Sequence, residues 1–167
     1  MTAPAQLLLA ELKACGIDLV ASLPDKWLSD ILDAVEADAD VTHVRVTRED
    51  DGMGICAGAY LGGRKAALVC QNAGVLLSTN VLAGYAFHHQ IPFLVLAAYR
   101  GREDDAFYYQ IYKGRITVPV LEAIGVPYGI LDDPGDFKRI RDYQRQSQLA
   151  RMPAVLLMTS RALAGRD

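Results

Sequence analysis

Short apolar runs alternate with helix-patterned segments along the whole chain, and this alternation is the strongest constraint on the fold. Six runs of four to six residues have the length of strands, and they lie at residues 18–22, 41–46, 66–70, 92–97, 128–131 and 154–158. Between them, apolar residues recur at helical spacing, as they do at Leu28, Ile31, Leu32 and Val35. Strands that alternate with helices form a parallel sheet covered on both faces. The sequence therefore predicts a doubly wound α/β fold with a mainly parallel sheet.

Helices are predicted between the strands, and their ends carry recognisable signals. The predicted helices lie at residues 25–36, 50–61, 76–87, 117–124 and 134–149. Asp133 followed by Pro134 is typical of a helix start, because Asp caps free N–H groups and proline suits the first turn. Residues 99–115 are polar and rich in tyrosine, and we interpret them as a loop after the fourth strand. We expect the chain to form one domain over residues 1–167.

Composition and charge exclude several classes of protein. Half of the residues are hydrophobic (51%), which is enough for a packed core, and the formal net charge is −3. A nucleic-acid-binding protein would normally show a basic excess, so no nucleic-acid partner is expected. The N-terminus lacks the pattern of a signal peptide, and no apolar run is long enough to span a bilayer. We expect a cytoplasmic protein that does not enter a membrane.

The three cysteines, Cys15, Cys56 and Cys70, lie far apart in the sequence and form no CxxC pair. This spacing indicates neither a zinc site nor a dithiol redox site, and no metal ligands are assigned to this chain. We expect Cys56 and Cys70 to be buried, reduced thiols, which suit a reducing compartment.

The most informative segment runs from residue 44 to residue 60. A predicted strand delivers Glu49 to its carboxyl end, and a helix of small residues begins at once. Ligands of open α/β sheets bind at these carboxyl ends. Gly52, Gly54 and Gly58 each weaken the helix, so we expect them to allow close approach of another backbone or of a flat ligand.

Two phosphate-binding motifs are excluded in this region. Gly52, Gly54 and Gly58 resemble a dinucleotide fingerprint, but the last spacing is one residue too long and neighbouring acids would repel a pyrophosphate. Residues 58–65 end in Gly-Arg-Lys, whereas a P-loop requires Gly-Lys followed by Ser or Thr.

Several further motifs occur in a fixed order along the chain: Leu23-Pro24-Asp25, Arg48-Glu49, Gly62-Gly63, Gln71-Asn72-Ala73-Gly74, Asn80 and Arg100-Gly101. In these motifs the chain resembles the pyrimidine-binding domain of thiamine-diphosphate enzymes, and most closely that of sulfopyruvate and phosphonopyruvate decarboxylases. The resemblance covers nearly the whole chain, and the order and spacing of the motifs carry more weight than any one of them.

The resemblance implies roles for particular residues. Glu49 would be the catalytic carboxylate, which hydrogen-bonds N1′ of the cofactor's aminopyrimidine and so assists removal of the C2 proton. The residues implied at the cofactor are Glu49, Gln71, Asn72, Gly74 and Asn80. Asp25 would lie near the substrate carbonyl. The cations of segment 99–115 are suited to a doubly charged oxo acid, and the residues expected at the substrate are Asp25, Arg100, Arg102 and Arg115.

One motif of the family is missing. The second domain of these enzymes holds the diphosphate through Mg²⁺ with a Gly-Asp-Gly motif, and no Gly-Asp-Gly occurs in this chain. The resemblance therefore implies an α subunit, with thiamine diphosphate and Mg²⁺ bound together with a separate β subunit.

Each residue assignment has a simpler structural alternative. The helix dipole alone favours an acid such as Glu49 at a helix start, and this is what we expect of Asp50 and Asp51. Asn and Gly are common in ordinary turns, and Asp25 also suits the N-cap of the following helix. Segment 99–115 is alternatively a solvated loop or a subunit interface.

The histidines are interpreted as structural. His88 and His89 precede the fourth strand, whereas the thiamine decarboxylases that use a His pair carry it after the strand. We favour a pair at a helix C-terminus, where it complements the dipole. His43 lies in a strand, and the sequence shows no partner for it.

The leading hypothesis is an α subunit of a heteromeric 2-oxo-acid decarboxylase that converts sulfopyruvate to sulfoacetaldehyde. A phosphonopyruvate decarboxylase subunit is the first alternative, because the two substrates differ only in the acidic group. The second is a non-catalytic α/β module that binds an anion or a protein partner. Glu49 discriminates between these classes, because a binding module has no need of it.

Overall fold

The computed structural model describes residues 2–103 and 105–164, and six strands form a single sheet there. The strands are β1 (Leu19–Ser22), β2 (Thr42–Arg45), β3 (Ala66–Gln71), β4 (Leu94–Ala98), β5 (Tyr128–Leu131) and β6 (Ala154–Met158). All neighbouring strands are parallel, in the order β2-β1-β3-β4-β6-β5. The predicted doubly wound α/β fold is confirmed, and each predicted strand lies within two residues of its observed bounds.

Helices connect the strands, and three segments have tighter or wider turns than an α-helix. The α-helices are α1 (Ala3–Ala14), α2 (Ser29–Ala37), α3 (Glu49–Leu61), α4 (Asn72–Leu77), α5 (Thr79–Val81), α6 (Tyr108–Ala123), α7 (Ile140–Ala150) and α8 (Ser160–Ala164). Lys26–Leu28 and Pro134–Arg139 form 3₁₀ turns, and Leu82–Phe87 forms a π-helical turn. The predicted helix 76–87 is thus three short segments, and helices α1 and α8 were not predicted.

The core lies in two layers, one on each face of the sheet. Alternate residues of β3 divide between them: Ala67 and Val69 pack against one set of helices, whereas Leu68 and Cys70 pack against the other. Helices α1, α2 and α7 cover the first face, and α3 and α6 cover the second. Burial on both faces explains why the central strands β1, β3, β4 and β6 are nearly continuous apolar runs, whereas the edge strands β2 and β5 are partly exposed.

Glycine lets α3 pack closely on the sheet at one position. A Cβ at Gly52 would lie 2.6 Å from Cδ1 of Leu68, so any larger residue would force the buried Leu68 side chain to move. Gly54 and Gly58 have no atom within 4 Å of such a Cβ among the described residues. The expected close approach is therefore found inside this chain at Gly52, whereas Gly54 and Gly58 face open space.

The prediction that segment 99–115 is a loop is wrong from Tyr108 onward, where α6 begins. The buried residues of this helix include Gln110, Gly114 and Thr117, which are polar or small, so no apolar stripe marks the helix. Gly101 has a φ of +83°, and a Cβ on Gly101 or Gly114 would collide with the backbone of the other segment. This pair of glycines lets α6 lie directly on the chain that leaves β4.

All three cysteines are free, buried thiols, as predicted for Cys56 and Cys70. Burial raises the pKa of the Cys56 thiol to about 12, and a neutral thiol is a poor nucleophile. Within the described residues, no helix combines the length and the apolar character needed to cross a bilayer.

Candidate functional site

Four predicted site segments meet at the carboxyl edge of the sheet. Asp25 follows β1, Glu49 follows β2, Gln71 ends β3 and Arg100 follows β4. The chain leaves β1 toward β2 on one side and leaves β3 toward β4 on the other, so β1 and β3 flank a topological switch point. Ligands of doubly wound folds bind at such a point.

Glu49 is a buried carboxylate without a partner in the described chain. It is the first residue of α3, and its exposed fraction is 8%. Among residues 2–103 and 105–164, none donates a hydrogen bond to this carboxylate or forms an ion pair with it. Burial of an unpaired carboxylate is unfavourable, so the site favours a ligand that brings a donor.

Gly74 lies directly against the Glu49 side chain. A Cβ at Gly74 would overlap Cγ, Cδ and Oε1 of Glu49. The buried Cys70 thiol is also close. Burial raises its pKa well above the usual value, and the charge of Glu49 adds to the rise. Glycine at position 74 therefore gives the Glu49 carboxylate its space, and the prediction that these residues share one site is consistent with the geometry.

Asp25 is the opposite case, because its carboxylate is surrounded by donors. Oδ1 accepts from the backbone N–H of Trp27 at 2.9 Å, and Oδ2 accepts from Nε2 of Gln71 at 2.7 Å. Nη1 of Arg100 lies 3.2 and 3.3 Å from the two oxygens. Asp25 is thus the N-cap of the 3₁₀ turn, as the structural alternative predicted, and it also belongs to the cluster at the carboxyl edge.

Arg100 bridges Asp25 to a second buried carboxylate, Asp105. Nε of Arg100 lies 2.8 Å from Oδ2 of Asp105, and Nη2 lies 3.2 Å from Oδ1. The side chains of Arg100 and Asp105 are 3% and 1% exposed. The guanidinium carbon is also 4.2 Å from the ring centroid of Trp27, within the range of a cation–π contact.

Asn72 fastens the β3–α4 turn to its neighbours. Its Nδ2 donates to the carbonyl oxygen of Arg100 at 3.1 Å and to Oγ1 of Thr117 at 3.0 Å. Thr117 donates its single hydroxyl proton to the carbonyl of Lys113, so it must accept from Asn72, which fixes the orientation of the amide. Oδ1 of Asn72 is left as a buried acceptor without a donor in the described chain.

Three predicted site residues are not brought into contact with this cluster. Asn80 is exposed on α5 and lies beside Gly84. Arg102 lies 3.6 Å from Glu103 and packs over the ring of Tyr99, with a third of its side chain exposed. Arg115 is exposed on α6.

Sequence reasoning missed three partners of the site, namely Trp27, Asp105 and Thr117. Trp27 follows Asp25 by two residues, the spacing at which an N-cap side chain accepts a backbone hydrogen bond, and this signal was available. Asp105 is one of several acids in its segment, and the sequence does not indicate which of them pairs with Arg100. Thr117 is brought to Asn72 only by the packing of α6.

The histidines occupy structural positions in agreement with their interpretation. Nε2 of His43 lies 2.8 Å from Oγ of Ser22, and Nδ1 contacts the carboxylate of Glu36. This contact and the charge of Arg45 lower the pKa of Glu36. His88 and His89 follow the π-helical turn and are exposed.

A cavity of about 500 Å³ lies near the start of β6, lined by residues that include Pro127, Tyr143 and Ala154. Because these residues precede or flank the amino ends of β5 and β6, the cavity is at the edge of the sheet opposite Glu49 and Asp25. The volume of a cavity therefore does not locate the candidate site, which is identified by its charged groups.

The chain is similar to known proteins over most of its length. A family model, "Thiamine pyrophosphate enzyme, N-terminal TPP binding domain", matches residues 2–117. "Sulfopyruvate decarboxylase subunit alpha" of Methanococcus maripaludis is 36% identical over 144 residues, which is 86% of each chain. The protein of the same name from Methanothermobacter thermautotrophicus is 33% identical over 156 residues, 93% of this chain and 89% of the relative.

More distant relatives differ in length. "Phosphonopyruvate decarboxylase" of Streptomyces viridochromogenes is 30% identical over 131 residues, which is 77% of this chain but 33% of the relative. A 2-oxoglutarate:ferredoxin oxidoreductase from Magnetococcus marinus superposes with a TM-score of 0.69 at 16% identity over 97% of this chain and 29% of its own, which supports the fold alone. The family model and the relatives that match over most of both chains show that this chain belongs to the thiamine pyrophosphate enzyme family, among the relatives of sulfopyruvate decarboxylase α subunits.

Proposed function

We propose that this chain is the α subunit of a thiamine-diphosphate-dependent decarboxylase that converts sulfopyruvate to sulfoacetaldehyde and CO₂. The observation that carries the proposal is Glu49, a buried strand-end carboxylate that lacks a donor in the described chain and lies against a glycine. Such a carboxylate suits a flat heterocycle whose ring nitrogen can share a proton. The long α-subunit relatives support the same activity.

The groups around Glu49 fit the aminopyrimidine of thiamine diphosphate. Gly74 leaves room beside the carboxylate, and in the same β3–α4 turn Oδ1 of Asn72 is a buried acceptor without a donor in the described chain. We assign Glu49, Gln71, Asn72, Gly74 and Asn80 to cofactor binding. When bound, thiamine diphosphate supplies a nucleophilic carbon for the keto group and an electron sink for the loss of CO₂.

Glu49 is the proposed catalytic residue. Its carboxylate would hold a proton at N1′ of the aminopyrimidine, which makes the amino group at C4′ a better base for the C2 proton. The buried position favours this sharing, because a carboxylate without other donors gains most from one strong hydrogen bond.

Asp25, Arg100, Arg102 and Arg115 are proposed for the substrate, at different distances from the chemistry. Asp25 lies at the switch point, and Arg100 is committed to Asp25 and Asp105, so we assign Arg100 an indirect role through Asp25. Arg102 is partly exposed and offers a guanidinium to the sulfonate. Arg115 would reach the substrate only if the assembled enzyme brings it closer.

A β subunit would complete the site. This chain lacks Gly-Asp-Gly, so we place the diphosphate and Mg²⁺ with a partner that carries this motif, and we assign residues 1–167 to the pyrimidine-binding domain alone. The words "subunit alpha" in the names of the relatives support such a partner. The exposed aromatic residues Phe107, Tyr108 and Tyr112 on and before α6 offer contact area for it. We propose a cytoplasmic location for the assembly.

Phosphonopyruvate is the less favoured substrate, because the relatives that act on it by name are more distant. The rival class, a binding module for an anion or protein, gives no reason for a buried and unpaired Glu49. A single assay distinguishes the proposal from both alternatives.

The test is reconstitution with a partner subunit that carries Gly-Asp-Gly, followed by measurement of CO₂ release from sulfopyruvate and from phosphonopyruvate with Mg²⁺ and thiamine diphosphate. We expect turnover of sulfopyruvate at the higher kcat/KM, and loss of turnover without Mg²⁺. The chain alone should bind the cofactor poorly in calorimetry. Tight Mg²⁺-dependent binding by the chain alone would contradict the split-enzyme proposal, and no turnover of either acid would favour the binding module.

A further inference from the structure

We propose that Asp105 is a positioning residue, which orients Arg100 so that Arg100 in turn fixes Asp25 at the carboxyl edge. This inference rests on the proposed decarboxylase function and deepens it, because it gives a role to a residue outside the proposed cofactor and substrate groups. Three observations carry it: the saturation of Asp105, the rigidity of Arg100 and the coupling to Trp27.

Asp105 accepts four hydrogen bonds, two on each oxygen. Oδ2 accepts from Nε of Arg100 and from the backbone N–H of Gly101, both at 2.8 Å. Oδ1 accepts from Nη2 of Arg100 at 3.2 Å and from the backbone N–H of Phe107 at 3.1 Å. Burial disfavours the charge on Asp105, but the hydrogen bonds from Arg100, Gly101 and Phe107 outweigh it and lower the pKa of this carboxyl. An asparagine at this position would place an NH₂ group opposite two of these N–H donors. Only a carboxylate therefore accepts all four hydrogen bonds.

Arg100 transmits the position of Asp105 to Asp25. Its guanidinium is planar, so the edge held by Asp105 determines where Nη1, on the opposite edge, meets Asp25. The side chain of Arg100 is 3% exposed, which leaves little freedom to adopt another orientation. Asp25 also accepts a hydrogen bond from Gln71, the last residue of β3. The chain of contacts therefore ends where we propose that cofactor and substrate meet.

A second Arg–Asp pair in the chain provides a matched control. Arg48 donates through Nε and Nη2 to the two oxygens of Asp50 at 3.0 and 2.9 Å, the same two-point geometry. This pair is solvent-accessible, with exposed fractions of 57% and 26%. The other edge of Arg48 forms no ion pair within the described residues. Asp50→Asn therefore removes the same type of contact without moving Asp25.

Trp27 reports on Arg100 without any assay of activity. It is the only tryptophan of the sequence, and the guanidinium carbon of Arg100 lies 4.2 Å from its ring centroid. In the full chain at neutral pH, Asp105→Asn should change the intensity and the emission maximum of Trp27 fluorescence and raise its quenching by acrylamide. Asp50→Asn should leave both measurements unchanged. Unchanged emission in Asp105→Asn would overturn the inference, because Arg100 would then not depend on Asp105.

Steady-state kinetics of the reconstituted enzyme separate positioning from simple stability. At a temperature well below unfolding, Asp105→Asn should lower kcat/KM for sulfopyruvate about tenfold in the wild-type background and less than about twofold in the Asp25→Asn background. Equal losses in both backgrounds, or no loss in either, would assign Asp105 to stability alone and overturn the positioning role.

Two further outcomes are decisive. If Asp105→Asn does not fold by circular dichroism, Arg100→Lys breaks the same two-point contact from the other side and should show the same fluorescence change and the same dependence on Asp25. If the wild-type enzyme, reconstituted from both subunits, decarboxylates neither acid, the proposed function is wrong, and the positioning role is wrong with it. An active wild type with an insensitive Asp105 contradicts the positioning role only.

Discussion

Glu49 and Asp25 are buried carboxylates at the same edge of one sheet, yet their surroundings are opposite. Asp25 receives hydrogen bonds from a backbone N–H, an amide and a guanidinium, whereas Glu49 receives none from the described chain. A carboxylate that already accepts several hydrogen bonds is fixed in position and has few lone pairs left for a further donor. An unpaired one gains a strong hydrogen bond when a ligand arrives. The comparison indicates that Glu49 is available to bind a ligand, whereas Asp25 is held in place by its hydrogen bonds.

The unpaired side of the comparison predicts the largest effect. Glu49→Gln keeps the size of the side chain but cannot hold a proton at N1′, so we expect kcat to fall by about 10²–10⁴-fold with little change in KM. The measurement is steady-state decarboxylation by the reconstituted enzyme. Asp50→Asn, at a partly exposed acid in the same helical turn, is the control and should retain kcat within about twofold.

Gly74→Ala tests whether the space beside Glu49 is essential. The added Cβ would overlap the end of the Glu49 side chain, which can rotate away, and alanine favours a helix, so stability should change little. Displacement of the carboxylate by about 1 Å should lower kcat by about 10²-fold. Gly58→Ala, on the exposed side of α3, is the control, because no described atom lies within 4 Å of the added Cβ. Wild-type kcat in Gly74→Ala would show that Glu49 does not need its observed position.

The arginines separate direct from indirect contact with the substrate. Arg102→Ala should raise KM for sulfopyruvate about tenfold, since a charge-assisted hydrogen bond is worth roughly 1.5–3 kcal/mol. Arg115→Ala should have a smaller effect. Arg100→Ala should mainly reduce stability, because two buried carboxylates lose their partner. The exposed Arg145, on α7, is the control for loss of charge. An Arg102→Ala enzyme with wild-type KM would remove this residue from the substrate group.

Asp105, whose oxygens like those of Asp25 accept several hydrogen bonds, predicts a smaller effect. The effect is on how the stability of the fold depends on acid pH. The pKa of Asp105 is lower in the folded chain, so its contribution is present above the unfolded pKa of about 4 and is lost as pH falls through the folded value. Asp105→Asn should therefore flatten the decrease of unfolding free energy as the pH falls below about 4. Urea denaturation of the full chain at several pH values measures it, and parallel curves for wild type and variant would contradict the prediction.

The sheet was predictable because its four central strands, β1, β3, β4 and β6, are buried on both faces and stand out as apolar runs, while the edge strands β2 and β5 follow from their spacing between predicted helices. The second half of helix α6 lies within the predicted helix 117–124, but its first half was missed, because the buried residues there are Gln110 and Gly114 rather than apolar ones, while tyrosines face outward. Here, close backbone packing through glycine replaces the apolar stripe on which a sequence pattern depends.

The site was predictable only in part, for a related reason. Glu49 follows a strand and precedes a helix, so its place at the carboxyl edge follows from local sequence. The Asp25–Arg100–Asp105 chain joins residues 75 positions apart at its first step. Such a pair is determined by the order of strands in the sheet, which the linear sequence does not specify.

Exchange of the C2 proton of thiamine diphosphate tests the central claim most directly, because it reports on Glu49 without requiring substrate. The reconstituted enzyme is mixed with D₂O, quenched in acid, and the remaining C2–H signal is measured by NMR. The account predicts fast exchange in wild type and in Asp50→Asn, and exchange slower by about 10²-fold or more in Glu49→Gln. Exchange at the wild-type rate in Glu49→Gln would contradict the catalytic role of this carboxylate.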